Sequence, residues 1–364
     1  MPPRPENRLA RRGGAVELLR LPAALYGALV RLRGALYDRG WLPMEHVDAA
    51  VICVGNLTAG GTGKTPMVAW LVRELDRRGL RPGIVSRGYG APTSDGASDE
   101  ARLFADELPH VPHVVDADRT RGARALVERG CDAVVLDDGF QHRRLVRDLD
   151  LVLVDATRPW GLPAVDAGGE GVCALLPRGL LRERPAALRR AHCAVLTRVD
   201  QVQPAALDSL RARLEALAPG LPIVLTEHRP CGLRRLRASV RESPADLSGT
   251  RVELFSGIGN PEAFERSVRA LGAQVVAHRR FGDHHAYVEG DLSGLGAGGA
   301  RVLTTTKDAV KLEALSARAR LEVWVLEVEL AVRAGASVLA ALLDALPQSS
   351  ARAQRRALHE GLAG

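Results

Sequence analysis

Val51-Ile52-Cys53-Val54-Gly55-Asn56-Leu57-Thr58-Ala59-Gly60-Gly61-Thr62-Gly63-Lys64-Thr65-Pro66 joins an apolar run to a glycine-rich turn and the start of a periodic segment. Val68, Leu71, Val72 and Leu75 then recur at helical spacing, so the stretch reads strand, loop, helix. Glycines let successive backbone N–H groups point at one oxyanion, and a helix N-terminus adds partial positive charge. Thr58, Ala59, Gly60, Gly61, Thr62, Gly63, Lys64 and Thr65 are therefore candidate phosphate ligands, with Thr65 also placed to meet Mg²⁺. The strict pattern Gly-x4-Gly-Lys-Thr has glycine where this chain has Thr58, which leaves an ordinary strand-to-helix turn as the other reading.

Working outward, strand and helix signals alternate. Pro82 to Ser86, Cys131 to Asp138, Leu151 to Asp155 and Cys193 to Thr197 are short, largely apolar runs ending in polar residues, with helical periodicity between them. Alternation of this kind predicts an α/β fold, a P-loop NTPase-like, mainly parallel sheet with helices on both faces and ligands at the strand C-terminal ends. Asp137-Asp138 ends one such strand 73 residues after Lys64, where a nucleotide-binding fold needs a carboxylate for Mg²⁺; the pair alone does not say which one meets the metal. Gly139-Phe140-Gln141-His142-Arg143-Arg144 puts amide, imidazole and guanidinium groups on the same rim, as anion recognition requires.

At 364 residues the chain has room for more than one domain. The expected boundaries are an N-terminal amphipathic region 1–40, a phosphate-loop domain 41–228, a Pro/Gly/Arg/Ser-rich linker 229–250, a smaller α/β domain 251–347 and a tail 348–364. In the smaller domain Asn260-Pro261-Glu262 supplies a cap, a first-turn proline and a first-turn acid for a helix. After Pro22, Leu25, Leu29, Leu32 and Leu36 line one helical face with Arg31, Arg33 and Arg39 around it, a pattern that suits either an anionic membrane interface or packing on the chain's own domain.

A net charge of +7 favours an acidic partner without choosing among phosphorylated substrate, anionic lipid and nucleic acid. Only three of the 50 basic residues are lysines, Lys64, Lys307 and Lys311, and such a bias marks the positions where a compact ammonium is wanted. Five widely spaced cysteines without a Cys-x-x-Cys pair argue against a disulfide framework and for a reducing compartment. No stretch has the run of about 18 apolar residues that a membrane span needs. Asp283-His284-His285 can serve as an acid–base element, a solvated loop or, lacking a third ligand nearby in sequence, a poor metal site. Thr197-Arg198-Val199-Asp200 faintly echoes a guanine-reading Thr-Lys-x-Asp element but reads better as a strand end.

Taken together, Val54-Gly55-Asn56 through Gly60 to Pro66, Ser86-Arg87-Gly88-Tyr89, Asp137 to His142, Leu176-Pro177-Arg178-Gly179 with Leu181-Arg182-Glu183, Gly257 to Pro261, Phe281-x-Asp283-His284 and Thr305-x-Lys307-Asp308-Ala309-Val310-Lys311 resemble the tetraacyldisaccharide 4'-kinases, in that family's order. The resemblance implies ATP-dependent phosphorylation, with Mg²⁺, of the 4'-hydroxyl of a lipid disaccharide 1-phosphate. It also implies peripheral association with the cytoplasmic face of the inner membrane, and no nucleic-acid or protein partner. Thr58 is the form the family's own loop takes. By the same resemblance Asp99 is the catalytic base and His284 its partner, joining Lys64 as catalytic residues. The matching stretch Ser98-Asp99-Glu100-Ala101 departs from the family's Gly-Asp-Glu-Pro at two positions, so Asp95 and Glu100 stay as alternative registers. Because Asp99 and His284 fall in different expected domains, closure of a cleft is expected to unite them. Arg119, Arg143 and Arg182 are candidates for the lipid phosphate, and Arg87, Tyr89, Gln141, His142 and Glu183 for other parts of the substrate. A partitioning-type membrane ATPase shares a Gly-Gly-x-Gly-Lys-Thr loop and an amphipathic helix and is the rival reading, although Ala59 stands where that class has lysine.

Overall fold

In the computed structural model the residues described are 9–10, 13–88, 99–162, 171–318 and 321–346. They divide into two compact units, one of Met1–Gly88, Leu108–Glu227 and Val332–Gly364, the other of Tyr89–Glu107 and His228–Ala331.

The first unit is built on parallel strands. β1 (Ala50–Asn56), β2 (Pro82–Ser86), β3 (His113–Val115), β4 (Ala133–Asp137), β5 (Leu149–Asp155) and β6 (Cys193–Thr197) run in the order β6-β5-β1-β4-β2-β3. Every residue of β1, β2, β4, β5 and β6 is buried, which is why they read as unbroken apolar runs. Alternate side chains, among them Cys53, Leu136, Val152 and Leu196, join one core cluster. The helices Lys64–Arg77 and Arg119–Glu128 pack on these strands. The sheet's parallel direction brings the C-terminal ends of β1, β4 and β5 side by side, and Asn56, Asp137 and Asp155 end those three strands.

The second unit uses β9 (Arg251–Ser256), β10 (Gln274–Arg280) and β11 (Arg301–Thr305), numbered after two strands that precede them, β7 (Ile223–Arg235) and β8 (Arg241–Glu242). β12 (Val323–Ala334) completes it in the order β10-β9-β11-β12-β7. Adjacent residues enter different cores: Leu254, Leu303 and Trp324 one, Phe255, Val302, Val323 and Val325 the other. A period of two on strands covered on both faces produces this division.

Two expected boundaries are corrected. Residues 229–250 are no slack linker, since β7 continues to Arg235 and β8 pairs with it antiparallel. The arginines that made the segment look like a loop meet glutamates of β12, Arg234 with Glu327 at 3.1 Å and Arg229 with Glu329 at 2.6 Å. The smaller unit also takes in Tyr89–Glu107, while Val332 onward returns to the first, where Arg78 reaches Asp344 at 3.2 Å.

Within the second unit Glu265 accepts from His278, Arg269 and Arg280 at 2.9, 2.8 and 2.6 Å. Burial pushes its carboxyl up, but these donors outweigh burial and hold it at about 2 against the usual 4.5. A depressed carboxylate stabilises the fold above its usual value, and that contribution is lost as pH falls through the folded-state value. Glu265→Gln is therefore expected to lower Tm at pH 7, and thermal melts should show the gap to wild type narrowing as pH falls from 4.5 toward about 2.

Candidate active site

In the first unit the loop after β1 turns on Gly60 and Gly63, at φ 105° and 93°, a region side chains rarely enter. Thr58 is not among the positive-φ residues, so the position where the strict pattern has glycine requires no glycine here. Instead Thr58 is buried, and its carbonyl accepts from Asn56 Nδ2 at 2.8 Å. A second segment braces the loop: Ala59 N donates to Leu180 O and Arg182 N to Leu57 O, both at 2.7 Å. From the far side Thr197 Oγ1 donates to Thr62 O at 2.9 Å, and Arg198 bridges Gly61 O and Asp155. The buried hydroxyl of Thr62 has no protein partner among the described residues, which is the condition of a donor waiting for an anion.

Lys64 opens the helix and lies 3.3 Å from Asn56 Oδ1 and 3.6 Å from Asp138 Oδ1. Arg182 NH1 grips both oxygens of Asp138, at 2.8 and 2.7 Å. Burial pushes the Asp138 carboxyl up, but Lys64 and Arg182 outweigh it and keep it below the usual carboxylate range. Asp138 holds a left-handed backbone, φ 58°, as it leaves β4. Oxygen donors suit a hard cation, and an ionised Asp138 beside the loop lysine, buried Asp137 and the Thr65 hydroxyl at the helix start compose a set that fits Mg²⁺.

The other candidates of this unit fare differently. Gln141 Nε2 donates to Asn56 O at 3.0 Å, placing it against the end of β1. Arg119 is buried and donates to Asp137 O at 3.3 Å. His142 is half-buried, and burial together with Arg119 pushes its imidazole down to about 4, leaving it neutral near pH 7. Arg143 is directed to the N-terminal helix Arg20–Asp38, where it donates to Gly34 O at 3.0 Å and meets Asp38 at 2.7 Å. Glu183 is buried and paired with Arg190 at 2.9 Å. Arg87 is exposed just past β2, and Tyr89, like Asp95, lies outside the described residues.

The N-terminal helix packs on its own unit, as one of its two readings expects. One face touches this neighbourhood: Tyr26 donates to Arg182 O and Arg33 to Gln141 O, each at 2.9 Å. The other presents Leu21, Leu25, Leu29 and Leu32 to solvent, 58–76% exposed, with Trp41 beyond its end. No helix among the described residues is long and apolar enough to cross a membrane.

Asp99 and His284 both belong to the second unit, which corrects the expectation that they start in separate domains. Residues Asp99–Glu107 form a helix that packs on the helix Thr306–Arg318, and this carries Asp99 to the Asp283–His285 loop. Asp99 Oδ2 is 3.6 Å from His284 Nδ1 and 3.0 Å from Lys311 Nζ. Burial pushes the Asp99 carboxyl up, but His284 and Lys311 together bring it below its usual value, so it is a carboxylate at neutral pH. His285 turns instead to Asp291, 2.9 Å away, and no group of three or more His, Cys, Asp or Glu suited to a metal ion is found among the described residues.

Thr197 and Arg198 looked like a plain strand end, whereas they hold the loop's carbonyls. Asn56 and the two lysines of the second unit did leave a signal, scarcity: three asparagines and three lysines in the whole chain.

The family profile described as tetraacyldisaccharide-1-P 4'-kinase (LpxK) matches residues 15–347. A tetraacyldisaccharide 4'-kinase of Anaeromyxobacter dehalogenans (strain 2CP-C) is 42% identical over 349 residues, covering 89% of each chain. That of Geobacter sulfurreducens is 39% identical over 329 residues, covering 85% of this chain and 87% of the relative. Among solved structures, LpxK from Aquifex aeolicus in complex with ATP superimposes with a TM-score of 0.69 at 29% identity, over 92% of this chain and 99% of that one. With its loop, its strand-end carboxylates and nearly its whole length matched, the chain belongs to the tetraacyldisaccharide-1-P 4'-kinase family.

Proposed function

We propose that this protein transfers the γ-phosphoryl group of ATP to the 4'-hydroxyl of a tetraacyldisaccharide 1-phosphate, in lipid A biosynthesis. The observation that carries the reading is the match over residues 15–347, within which a phosphate loop stands ahead of a carboxylate–imidazole pair. The loop from Thr58 to Thr65 holds the triphosphate through its backbone N–H groups and the unsatisfied Thr62 hydroxyl, and Lys64 spreads positive charge over the β and γ oxygens. Thr65 and the Asp137–Asp138 pair would hold Mg²⁺, which when bound supplies further positive charge to those oxygens. Asp99 accepts the proton of the sugar hydroxyl as its oxygen bonds to the γ phosphorus and the bond to the β–γ bridging oxygen breaks, leaving ADP. His284 orients the carboxylate. Arg119, Gln141 and His142 meet the head group in this reading, while Arg182 is shared with Asp138 and Arg143 and Glu183 act chiefly as struts.

The exposed leucines of Arg20–Asp38 lie flat in an anionic lipid surface at the cytoplasmic face of the inner membrane, with arginines at their flanks. Replacing Leu25 and Leu29 together by Asp is expected to weaken partition onto phosphatidylglycerol vesicles by about tenfold or more, read by flotation. Unchanged partition would count against the helix as the contact. The chemical reading is tested by incubating the protein with [γ-³²P]ATP, Mg²⁺ and the lipid, and extracting the products. Label in the organic phase supports a lipid kinase; label confined to inorganic phosphate refutes it.

A further inference from the structure

Two of the chain's three lysines stand one helical turn apart on Thr306–Arg318, and both reach the Asp99–His284 pair. Lys307 Nζ is 3.2 Å from His284 Nε2 and 2.8 Å from Asp283 Oδ1. Lys311 Nζ is 3.0 Å from Asp99 Oδ2 and 3.3 Å from His285 O. An ammonium carries three donors and no lone pair, so at 3.2 Å His284 Nε2 is the acceptor. The proton of a neutral ring then sits on Nδ1, the atom that faces Asp99.

The surroundings keep this arrangement from relaxing. His284 is held at φ 58°, and its N–H donates to Gly257 O at 3.2 Å. Beneath it the fully buried Asp308 accepts from Gly257 N, Tyr287 OH and Thr305 Oγ1 at 3.1, 3.0 and 2.8 Å. Burial pushes the Lys307 ammonium down, but Asp283 outweighs it and raises it above the usual lysine value, so Lys307 stays a donor.

We propose that Lys307 and Lys311 are positioning residues for the Asp99–His284 pair: Lys307 fixes the imidazole as its Nδ1–H tautomer, and Lys311 fixes the carboxylate by gripping Oδ2. The proposal rests on Asp99 being the base. The groups facing Asp99 are His284 from the loop and Lys311 from the packed helix; around the two lysines stand Asp283, Asp308 and Glu100. Removing Lys311 takes away one of the two groups that oppose burial, so Asp99 protonates at higher pH.

The test uses full-length protein labelled with [¹⁵N]histidine. In wild type the His284 ring should report protonated Nδ1 and bare Nε2. Lys307→Met should move it toward Nε2–H and lower kcat by about tenfold, with KM for ATP and lipid within about twofold of wild type. Lys307→Arg, which keeps a donor, should restore the ring signature. Lys311→Met should shift the acid limb of kcat/KM to higher pH while leaving the ring tautomer in place. A ring spectrum unchanged in Lys307→Met, or an unmoved acid limb in Lys311→Met, overturns the proposal. A ring that switches tautomer while kcat holds likewise overturns the positioning role of Lys307, whereas the reading of Asp99 as base fails separately, if Asp99→Asn keeps its activity.

Discussion

Lys64→Ala is expected to lower kcat for lipid phosphorylation by about 10³ or more, the scale of losing a preorganised charge at a transferring phosphoryl group. The fold should survive the change. Lys64 contributes one hydrogen bond to Asn56 and one ion pair to Asp138, and Asp138 keeps the closer of its two cations, Arg182 at 2.7 Å. No buried charge is left alone, so the stability cost is on the order of 1 kcal/mol. Circular dichroism and thermal melting with a single-turnover assay separate the two effects, and near wild-type turnover in a folded variant would refute the loop assignment. Lys64→Arg is not expected to restore activity, because a planar guanidinium cannot replace a compact ammonium in so tight a loop.

Asp99→Asn is expected to lower kcat by about 10² or more, since it removes the proton acceptor while keeping the side chain's shape. The isosteric change is preferable to alanine because Lys311, 9% exposed in its side chain, would otherwise lose both its charge partner and a packing neighbour. KM for ATP should hold, as the phosphate loop belongs to the other unit. Activity within a few-fold of wild type would move the base to Glu100 or Asp95, the neighbouring registers.

The parallel core was readable because buried strands of the first unit carry no polar alternation; Ile52, Val135 and Leu153 look in sequence like what they are. β7 was not readable. Its Arg229 and Arg234 find glutamates on β12, about 90 to 100 residues later, so the pairing that makes it a strand is invisible locally. The same limit hid the place of the helix Asp99–Glu107, whose assignment to the second unit depends on packing against residues 306–318. The loop Gly60 to Thr65 has a local pattern that sequence displays. Contacts that a tertiary partner decides have none: Arg143 reaches the N-terminal helix and Arg182 grips Asp138. The two lysines of the second unit were visible as rarities before their partners were known.

The central claim, phosphoryl transfer to the 4'-oxygen of a lipid disaccharide, is tested most directly by two-dimensional ³¹P–¹H correlation on the purified product. The account predicts a new phosphorus coupled to H4' of the distal sugar, alongside the original 1-phosphate and stoichiometric ADP. A new phosphorus coupled to any other position, or inorganic phosphate with the lipid unchanged, would contradict it.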